Sequence, residues 1–598
     1  MSVRIPLRPL ARILDARRQG ENPDRIESEN LRKRHEEMRD RARLRAEGRL
    51  LVLAALFLCA FIVVGFRMGE LSASEPQEPS GHGQRVAITQ ARADIVDRNG
   101  RILATNMLTR ALYAQPPMMV DKPQAARALA RIFPDLDEAK LLEQFTGTRK
   151  FIWIKRKISP EQQQLVHDIG EPGLLFGPRE MRLYPNGAIA AHVLGGAGFG
   201  REGVNAAEVI GVAGVEKYFD EALRDPANAG TPLALSLDLT VQAAVEEVLD
   251  GGMKIMGAKG AAGVLMDVYT GEVISLVSLP DFDPNNRPRP LTEGDAADSP
   301  LFNRAVQGLY ELGSVFKIFT AAQAVELGLM NPDTMVNTRG PIKMGGFSIN
   351  DFHNYGAELS LTNVIVKSSN LGTARVAQMI GAERQRDFLA SLGLLEPTPV
   401  ELIEAAGAKP LRPSEREWKE LSTMTISYGH GVSTSPLHLA AAYSTIANGG
   451  TRVTPTLVRQ ESVVRGPRVI SPEVSAISRN MLRQVVARGT ASFGEVPGYS
   501  VGGKTGSADK PGMRGRPGYD GDKLISTFAS IFPSDNPAYV LIVSLDEPEI
   551  YASGEMRRTA GWTAVPVAGE IIRRVAPLLG LKPALANQRQ AGVTLARQ

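Results

Sequence analysis

Ser314, Val315, Phe316 and Lys317 form a tetrad in which only the first and last side chains can do chemistry. At positions i and i+3 of a helix two side chains share a face. A serine hydroxyl is a weak nucleophile and needs an adjacent base. A lysine serves as that base when burial or a nearby cation lowers its pKa. The tetrad follows Gly313 and opens an apolar helical pattern. That placement offers free backbone N–H groups to a developing oxyanion. Ser507-Ala508-Asp509-Lys510 fits the same expression but lies in a polar stretch rich in Gly and Pro.

Two further triplets matter. Ser368-Ser369-Asn370 separates two helical patterns, LTNVIVK and LGTARVAQMI, so it reads as a tight helix–helix turn. The same spacing occurs at Ser28-Glu29-Asn30, Ser348-Ile349-Asn350 and Ser534-Asp535-Asn536; the last precedes a proline, as turns do. Lys504-Thr505-Gly506 lies in VGGKTG, a strand whose small residues let another chain approach its backbone. GYSVGGKT (498–505) also satisfies the phosphate-loop expression, which demands a helix directly after Thr505. The following GSADKPGMRGRPGYDG is no helix.

The elements that must position these residues follow from pattern. IVDRNGRILA reads as two strands around the Asn99-Gly100 turn. Helical periodicity covers 123–145 and 160–168, and Gly/Pro-rich segments occupy 185–215. AGVLMDVYTGEVISLVSLP gives two strands around Thr270-Gly271. Helices are expected over most of 304–330, 361–393, 435–447 and 564–578, and strands over 524–532 and 538–545. Strands at both ends with helices between them imply a sheet with helices on its faces.

Leu50 to Phe66, LLVLAALFLCAFIVVGF, is uncharged and long enough to cross a bilayer. Arg39, Arg41, Arg43, Arg45 and Arg49 precede it, while GELSASEPQEPSGHG follows without Lys or Arg. The positive-inside rule then puts the N-terminus in the cytoplasm. A cleaved signal peptide usually has a far shorter charged region ahead of its apolar run. Residues 1–49 read as a mobile tail, helical from Glu27 to Arg45, and 70–85 as a Ser/Pro/Gly/Glu linker. The 598 residues exceed one core, with 43% hydrophobic and 22% charged residues, ordinary for globular chains. A net charge of +4 gives no sign of nucleic-acid binding. The one cysteine, Cys59, lies in the apolar run, and no HExxH spacing occurs, so neither a metal nor a cofactor is expected.

Taken together and in this order, S-x-x-K, S-x-N and K-T-G resemble the penicillin-recognising serine enzymes. RADIVDRNGRILA, RLYPNGAIAAHVLG and GVAGVEKYFD resemble the N-terminal pedestal of class B penicillin-binding proteins; AGVLMDVYTGEVISLVSLPDFDPN, YELGSVFK and SYGHGVSTSPLHLA resemble their transpeptidase domain. Ala93, Val315 and Ser507 stand where that family commonly has Gly, Thr and Thr. The cell-division subtype fits the tail, anchor and length. The resemblance implies an α/β (α+β) transpeptidase domain with an antiparallel five-stranded sheet flanked by helices, after an elongated α+β pedestal and one transmembrane helix. The expected division is a cytoplasmic tail 1–49, anchor 50–67, linker 68–85, pedestal 86–230, transpeptidase domain 231–582 and flexible tail 583–598.

Carried over residue by residue, the resemblance makes Ser314 the nucleophile on a D-Ala-D-Ala carbonyl and Lys317 the proton acceptor. Ser368 relays a proton to the leaving group, and Asn370 orients the substrate amide and Lys317. Lys504, Thr505, Gly506 and Ser507 bind substrate: Lys504 and Thr505 take the carboxylate, and the N–H groups of Ser314 and Ser507 form the oxyanion hole. Implied partners are stem peptides as D-Ala-D-Ala donor and amine acceptor, β-lactams, the bacterial inner membrane through 50–67, a septal glycan polymerase and other divisome membrane proteins. The catalytic domain would be periplasmic. An elongation-type transpeptidase, a β-lactamase or β-lactam sensor, a D,D-carboxypeptidase and a non-catalytic division scaffold are the rival readings.

Overall fold

The structure, a computed structural model, describes residues 8–73, 92–199, 209–228, 230–512 and 518–584. The chain forms two compact units, Met1–Ile88 and Thr89–Gln598.

In the first unit, helix α1 (Leu10–Arg18) precedes α2 (Pro23–Ala73), which runs unbroken for 51 residues. The helix expected over Glu27–Arg45 starts earlier, at Pro23, and runs on into the apolar segment. Pro23 suits a first helical position, no proline interrupts the run, and four i,i+4 pairs line it: Glu29–Lys33, Arg32–Glu36, Glu37–Arg41 and Arg43–Glu47. Each pair adds about 0.3–0.5 kcal/mol. The window Glu47–Met68, 22 residues long and unburied, has the length and apolarity to cross a membrane. The first residues of the expected linker continue this helix to Ala73; its remainder, 74–85, lies outside the described residues, as do 585–598 of the expected C-terminal tail.

The second unit begins with β1 (Ile95–Val96) and β2 (Ile102–Ala114), joined at the Asn99-Gly100 turn. The periodicity over 123–145 resolves into α3 (Lys122–Ile132) and α4 (Glu138–Thr146), because Pro134 stops the first and Asp137 caps the second through Lys140 N. Strand β3 (Ile152–Ile158), helix α5 (Pro160–His167) and strand β4 (Leu174–Leu183) complete a mixed sheet in which β3 and β4 flank β2 and Leu233–Ala234 pairs parallel with β1. Leu112, Leu129, Phe145 and Ile152 are among the residues filling a separate small core.

At the base of this region lies a buried ion network. Glu216, on the short helix Gly214–Tyr218, is fully buried and receives Arg92 Nε at 2.6 Å and Arg182 Nε at 2.7 Å. Arg92 also pairs with Asp220 at 2.7 Å, and the Tyr184 hydroxyl donates to Glu216 at 3.2 Å. The three pedestal-like stretches thus meet at one carboxylate. The β1–β2 turn grips the following region: Leu239 N donates to Asp97, Arg101 pairs with Asp238, and Arg98 with Glu272.

The larger core is built on α6 (Leu239–Ile255) and strands β5 (Gly260–Asp267) and β6 (Val273–Leu279). Asp238 caps α6, and Val241, Val245, Val248 and Leu249 face the sheet at helical spacing. Next come α7 (Lys317–Glu326), α8 (Leu361–Lys367), α9 (Asn370–Ile380), α10 (Pro436–Ala447) and α11 (Pro472–Arg488). Strands β7 (Gly502–Pro511), β8 (Tyr519–Phe532) and β9 (Tyr539–Asp546) and helix α12 (Ala564–Leu578) close the fold. The sheet is antiparallel, in order β7-β8-β9-β5-β6, with α6 and α12 on one face and α10 and α11 on the other. Burial on both faces explains why β5 and β6 are mostly apolar rather than alternating, with Ser275 and Ser278 of β6 buried among them. The helix expected over most of 304–330 is shorter, 317–326, because Gly308 and the left-handed Gly313 interrupt the backbone before it. The helical stretch 361–393 breaks into three, at Ser368 and at Gly381, both with positive φ.

Candidate active site

Ser314 sits in a single 3₁₀ turn, Gly313–Phe316, leading into α7. In this tighter helix i and i+3 eclipse, so Ser314 and Lys317 share a face more closely than in an α-helix. The turn is pinned from two sides: Gly313 N donates to Gly429 O at 3.3 Å, and Tyr443 of α10 donates its hydroxyl to Val315 O at 2.7 Å. Ser314 is half-buried, and its Oγ has no hydrogen-bond partner among the described residues. Lys317 is 0% exposed; its Nζ donates to Ser368 O at 2.5 Å, Asn370 Oδ1 at 2.7 Å and Ser368 Oγ at 3.1 Å.

Ser368 ends α8 at φ 62°, a left-handed conformation that costs a serine roughly 1–2 kcal/mol. The strain turns its hydroxyl back toward Lys317. Ser369 caps α9 by accepting from Gly372 N at 2.9 Å. Asn370 has its amide oriented at both ends, accepting from Lys317 and donating Nδ2 to Asn350 O at 2.9 Å.

The turn is fixed from outside by Asp351, which the motif search missed. It accepts from Ser369 Oγ at 2.6 Å and from Leu371 N at 2.9 Å. No spacing signal points to it; the adjacent Ser348-Ile349-Asn350, which repeats the S-x-N spacing, is the nearest clue. Asp351→Ala should leave these two donors unpaired, lower the melting temperature by the equivalent of about 1–3 kcal/mol, and slow acylation at Ser314 by about tenfold. Unfolding midpoints and penicillin-labelling rates of the two chains check this.

The third motif lies on β7, an edge strand with β8 as its only sheet neighbour among the described residues. It packs directly against the serine turn: a Cβ at Gly506 would lie 2.1 Å from Leu312 O, and one at Gly313 only 3.1 Å from Ser507 O. Lys504 is 0% exposed and its Nζ donates to Ser368 Oγ at 3.0 Å and Thr505 O at 3.1 Å. Thr505 Oγ1 shares a hydrogen bond of 2.7 Å with Thr490, a second residue without a sequence signal. Ser507 Oγ accepts from Ala560 N at 2.9 Å, so its hydroxyl is engaged by the neighbouring loop. The segments bearing Ser314, Lys317, Ser368, Asn370, Lys504, Thr505, Gly506 and Ser507 therefore pack against one another at one place. The lysine of the second S-x-x-K match does not join it, since Lys510 pairs with Asp546 and Glu547, and strand, not helix, follows Thr505, which removes the phosphate-loop reading.

Burial, and Lys504 beside it, push Lys317 well below an ordinary lysine, with Asp351 opposing. Burial alone brings Lys504 down to about 7. A depressed Lys317 gives up its proton at a lower pH and so can act as base, whereas Lys504 binds a carboxylate only while protonated. Acylation by penicillin should trace a bell: rising with pH as Lys317 deprotonates, and falling on the alkaline side as free Lys504 loses its charge near 7. Second-order acylation rates from pH 5 to 10 read both limbs; a rate that climbs monotonically to pH 10 would remove Lys504 from the binding role.

The comparisons agree in direction. Residues 261–572 match the family model for the penicillin binding protein transpeptidase domain, and 87–229 that for the penicillin-binding protein dimerisation domain. The chain is 35% identical over 560 residues to the probable peptidoglycan D,D-transpeptidase FtsI of Caulobacter vibrioides, covering 92% of this chain and 91% of that one. It is 27% identical to the peptidoglycan D,D-transpeptidase FtsI of Escherichia coli K12, covering 89% and 92%. Among solved structures, penicillin binding protein 3 of Mycobacterium tuberculosis complexed with aztreonam superposes with a TM-score of 0.62 at 28% identity, covering 83% of this chain and 97% of that one.

Proposed function

The chain belongs to the class B penicillin-binding proteins, the cell-division D,D-transpeptidases, and on that premise we propose that it cross-links peptidoglycan stem peptides through an acyl-enzyme on Ser314. The observation that carries this reading is the shared hydroxyl of Ser368, which receives Lys317 at 3.1 Å and Lys504 at 3.0 Å beside the Ser314 turn.

Ser314 Oγ attacks the carbonyl carbon of the penultimate D-Ala, and its proton passes to the Lys317 amine. The oxyanion is held by the N–H groups of Ser314 and Ser507. The C–N bond then breaks; the leaving D-Ala nitrogen takes a proton by way of Ser368, leaving an ester on Ser314. An acceptor amine attacks that ester, gives up its proton to the same lysine–serine pair, and the C–O bond breaks to restore the Ser314 hydroxyl. Lys504 and Thr505 hold the donor carboxylate. Asn370, oriented at both ends, aligns the substrate amide and Lys317. A β-lactam follows the first half of this path, but its ring nitrogen stays tethered and blocks the acceptor.

The apolar window of α2 supports a single-pass anchor at the inner membrane, with the arginine-rich side cytoplasmic and the Ser314 domain periplasmic. Residues 86–230 act as a pedestal and docking surface for the septal glycan polymerase and other divisome membrane proteins, and 231–582 carry the chemistry.

Labelled penicillin tests the reading. The adduct should form one-to-one, map to the peptide containing Ser314 and hydrolyse slowly. An adduct on another residue sinks the site assignment, and rapid turnover favours a β-lactamase.

A further inference from the structure

The α8–α9 turn has two sides. Ser368 Oγ faces β7, where it receives Lys504 Nζ at 3.0 Å. Ser369 Oγ and Asn370 Nδ2 face the segment 338–357, donating to Asp351 Oδ2 at 2.6 Å and Asn350 O at 2.9 Å. On that second side lies a cavity of about 660 Å³, whose lining includes Arg339, Asn350, Asp351, Phe352, His353 and Tyr355. Burial raises the Tyr355 phenol and the Asp351 charge adds to the rise; the same charge opposes the burial that depresses Lys317. One carboxylate thus links the cavity to the catalytic amine.

The lining has an apolar part and an open cation. Phe352 is 83% exposed, its ring edge-on to His353 at 5.2 Å, and His353 is edge-on to Tyr355 at 6.1 Å. Both Asp351 oxygens are engaged, by Ser369 Oγ and Leu371 N. Arg339 is exposed, and its guanidinium has no hydrogen bond or ion pair among the described residues. A second guanidinium, that of Arg375 on α9, donates to Arg339 O at 2.9 Å. Rings beside an open guanidinium suit a ligand with an apolar chain and a carboxylate.

The chemistry supplies such a ligand. By microscopic reversibility the acceptor nitrogen arrives where the D-Ala nitrogen departs, beside Ser368. Behind that nitrogen an acceptor peptide carries a chain that D-Ala lacks. Toward β7 the space is filled: Lys504 is 0% exposed, and a Cβ at Gly506 would lie 2.1 Å from Leu312 O. Across the turn the cavity is open. We propose that this cavity is the acceptor subsite, with Phe352 against the chain behind the attacking amine and Arg339 on a carboxylate farther along it, so that the enzyme selects acidic acceptor peptides. This rests on the transpeptidase reading and adds the acceptor class.

Partition of a common acyl-enzyme tests it. Purified full-length protein in detergent is given a benzoyl-D-alanyl thioester, which loses its thiol and leaves benzoyl-D-Ala on Ser314. Water then releases the acid, and an amine releases an amide. Three acceptors compete: D-alanine, D-lysine acylated on its ε-nitrogen by acetyl-D-glutamate, and the same compound with D-glutamine. Product ratios are set after acylation and do not depend on its rate. The acidic acceptor should be used about tenfold more than its glutamine analogue, falling below about threefold in Arg339→Gln. Phe352→Ala should lower the use of both extended acceptors relative to D-alanine by about threefold or more. Equal use of the two extended acceptors by the unmutated protein, aminolysis by D-alanine alone, or an undiminished acid preference in Arg339→Gln overturns the subsite. Failure to acylate, or hydrolysis without aminolysis by any of the three, overturns the transpeptidase reading instead, so the two failures are distinguishable.

Discussion

Lys317→Met is expected to acylate with penicillin on the order of 10³–10⁴ times more slowly than the unmutated chain while remaining folded. The side chains are similar in length, and the position is 0% exposed, so methionine fills the space without the amine. The exchange has two opposing effects on stability. Ser368 O and Asn370 Oδ1 lose a donor, at about 1–3 kcal/mol. Against this, a buried amine whose charged form is disfavoured by desolvation is removed. The melting temperature should therefore move by only a few degrees, and the rate loss can be assigned to chemistry. Lys317→Arg should be equally slow, because a guanidinium does not deprotonate and cannot accept the Ser314 proton. Labelling rates, thermal unfolding and the Arg variant decide the matter together. A Met chain that acylates within tenfold of the original would show that another group takes the proton, and Lys504, on the far side of Ser368 Oγ, would be the next to change.

What was legible in the sequence was what local pattern encodes. The helix–helix turn and the K-T-G strand each announce their own conformation, and the structure places Ser368 and Lys504 in the elements expected, whereas Ser314 lies in a 3₁₀ turn just ahead of the helix it was expected to open. The turn at Asn99-Gly100 and the strands around Thr270-Gly271 were readable for the same reason, since Gly at a positive φ marks the chain reversal. What pattern could not give were partners chosen in three dimensions. Asp351 holds the turn at Ser369 from a loop 18 residues away, and Thr490 reaches Thr505 across 15. Neither has a residue type or spacing that separates it from surface Asp and Thr. The long helix α2 was underestimated because its polar half has no apolar stripe; its i,i+4 ion pairs, not burial, favour the helix there. The strain at Ser368 was also invisible, because a left-handed serine is unfavourable locally and is held by groups distant in sequence, among them Lys317 and Lys504.

The pedestal carries the second large effect. Glu216→Ala should destabilise the second unit by about 3–5 kcal/mol, because it removes one carboxylate from between two buried arginines. Arg92 keeps Asp220 as a partner, but Arg182 is left with backbone and amide acceptors alone, Ala93 O at 2.9 Å and Asn106 Oδ1 at 3.1 Å. The Tyr184 hydroxyl loses its acceptor as well. Glu216→Gln should cost less, since an amide oxygen can still accept from one guanidinium, and the order Glu > Gln > Ala separates lost charge from lost volume. No hydrogen bond or ion pair among the described residues joins this network to the Ser314 cleft, so penicillin should still label the molecules that remain folded, at an unchanged rate. Differential scanning calorimetry gives the stability change, and labelling below the transition gives the rate. If the Ala chain unfolded at the original temperature, the three converging stretches around Arg92, Arg182 and Glu216 would be held by apolar packing, and the buried charges would have to be explained by specificity of docking rather than by stability.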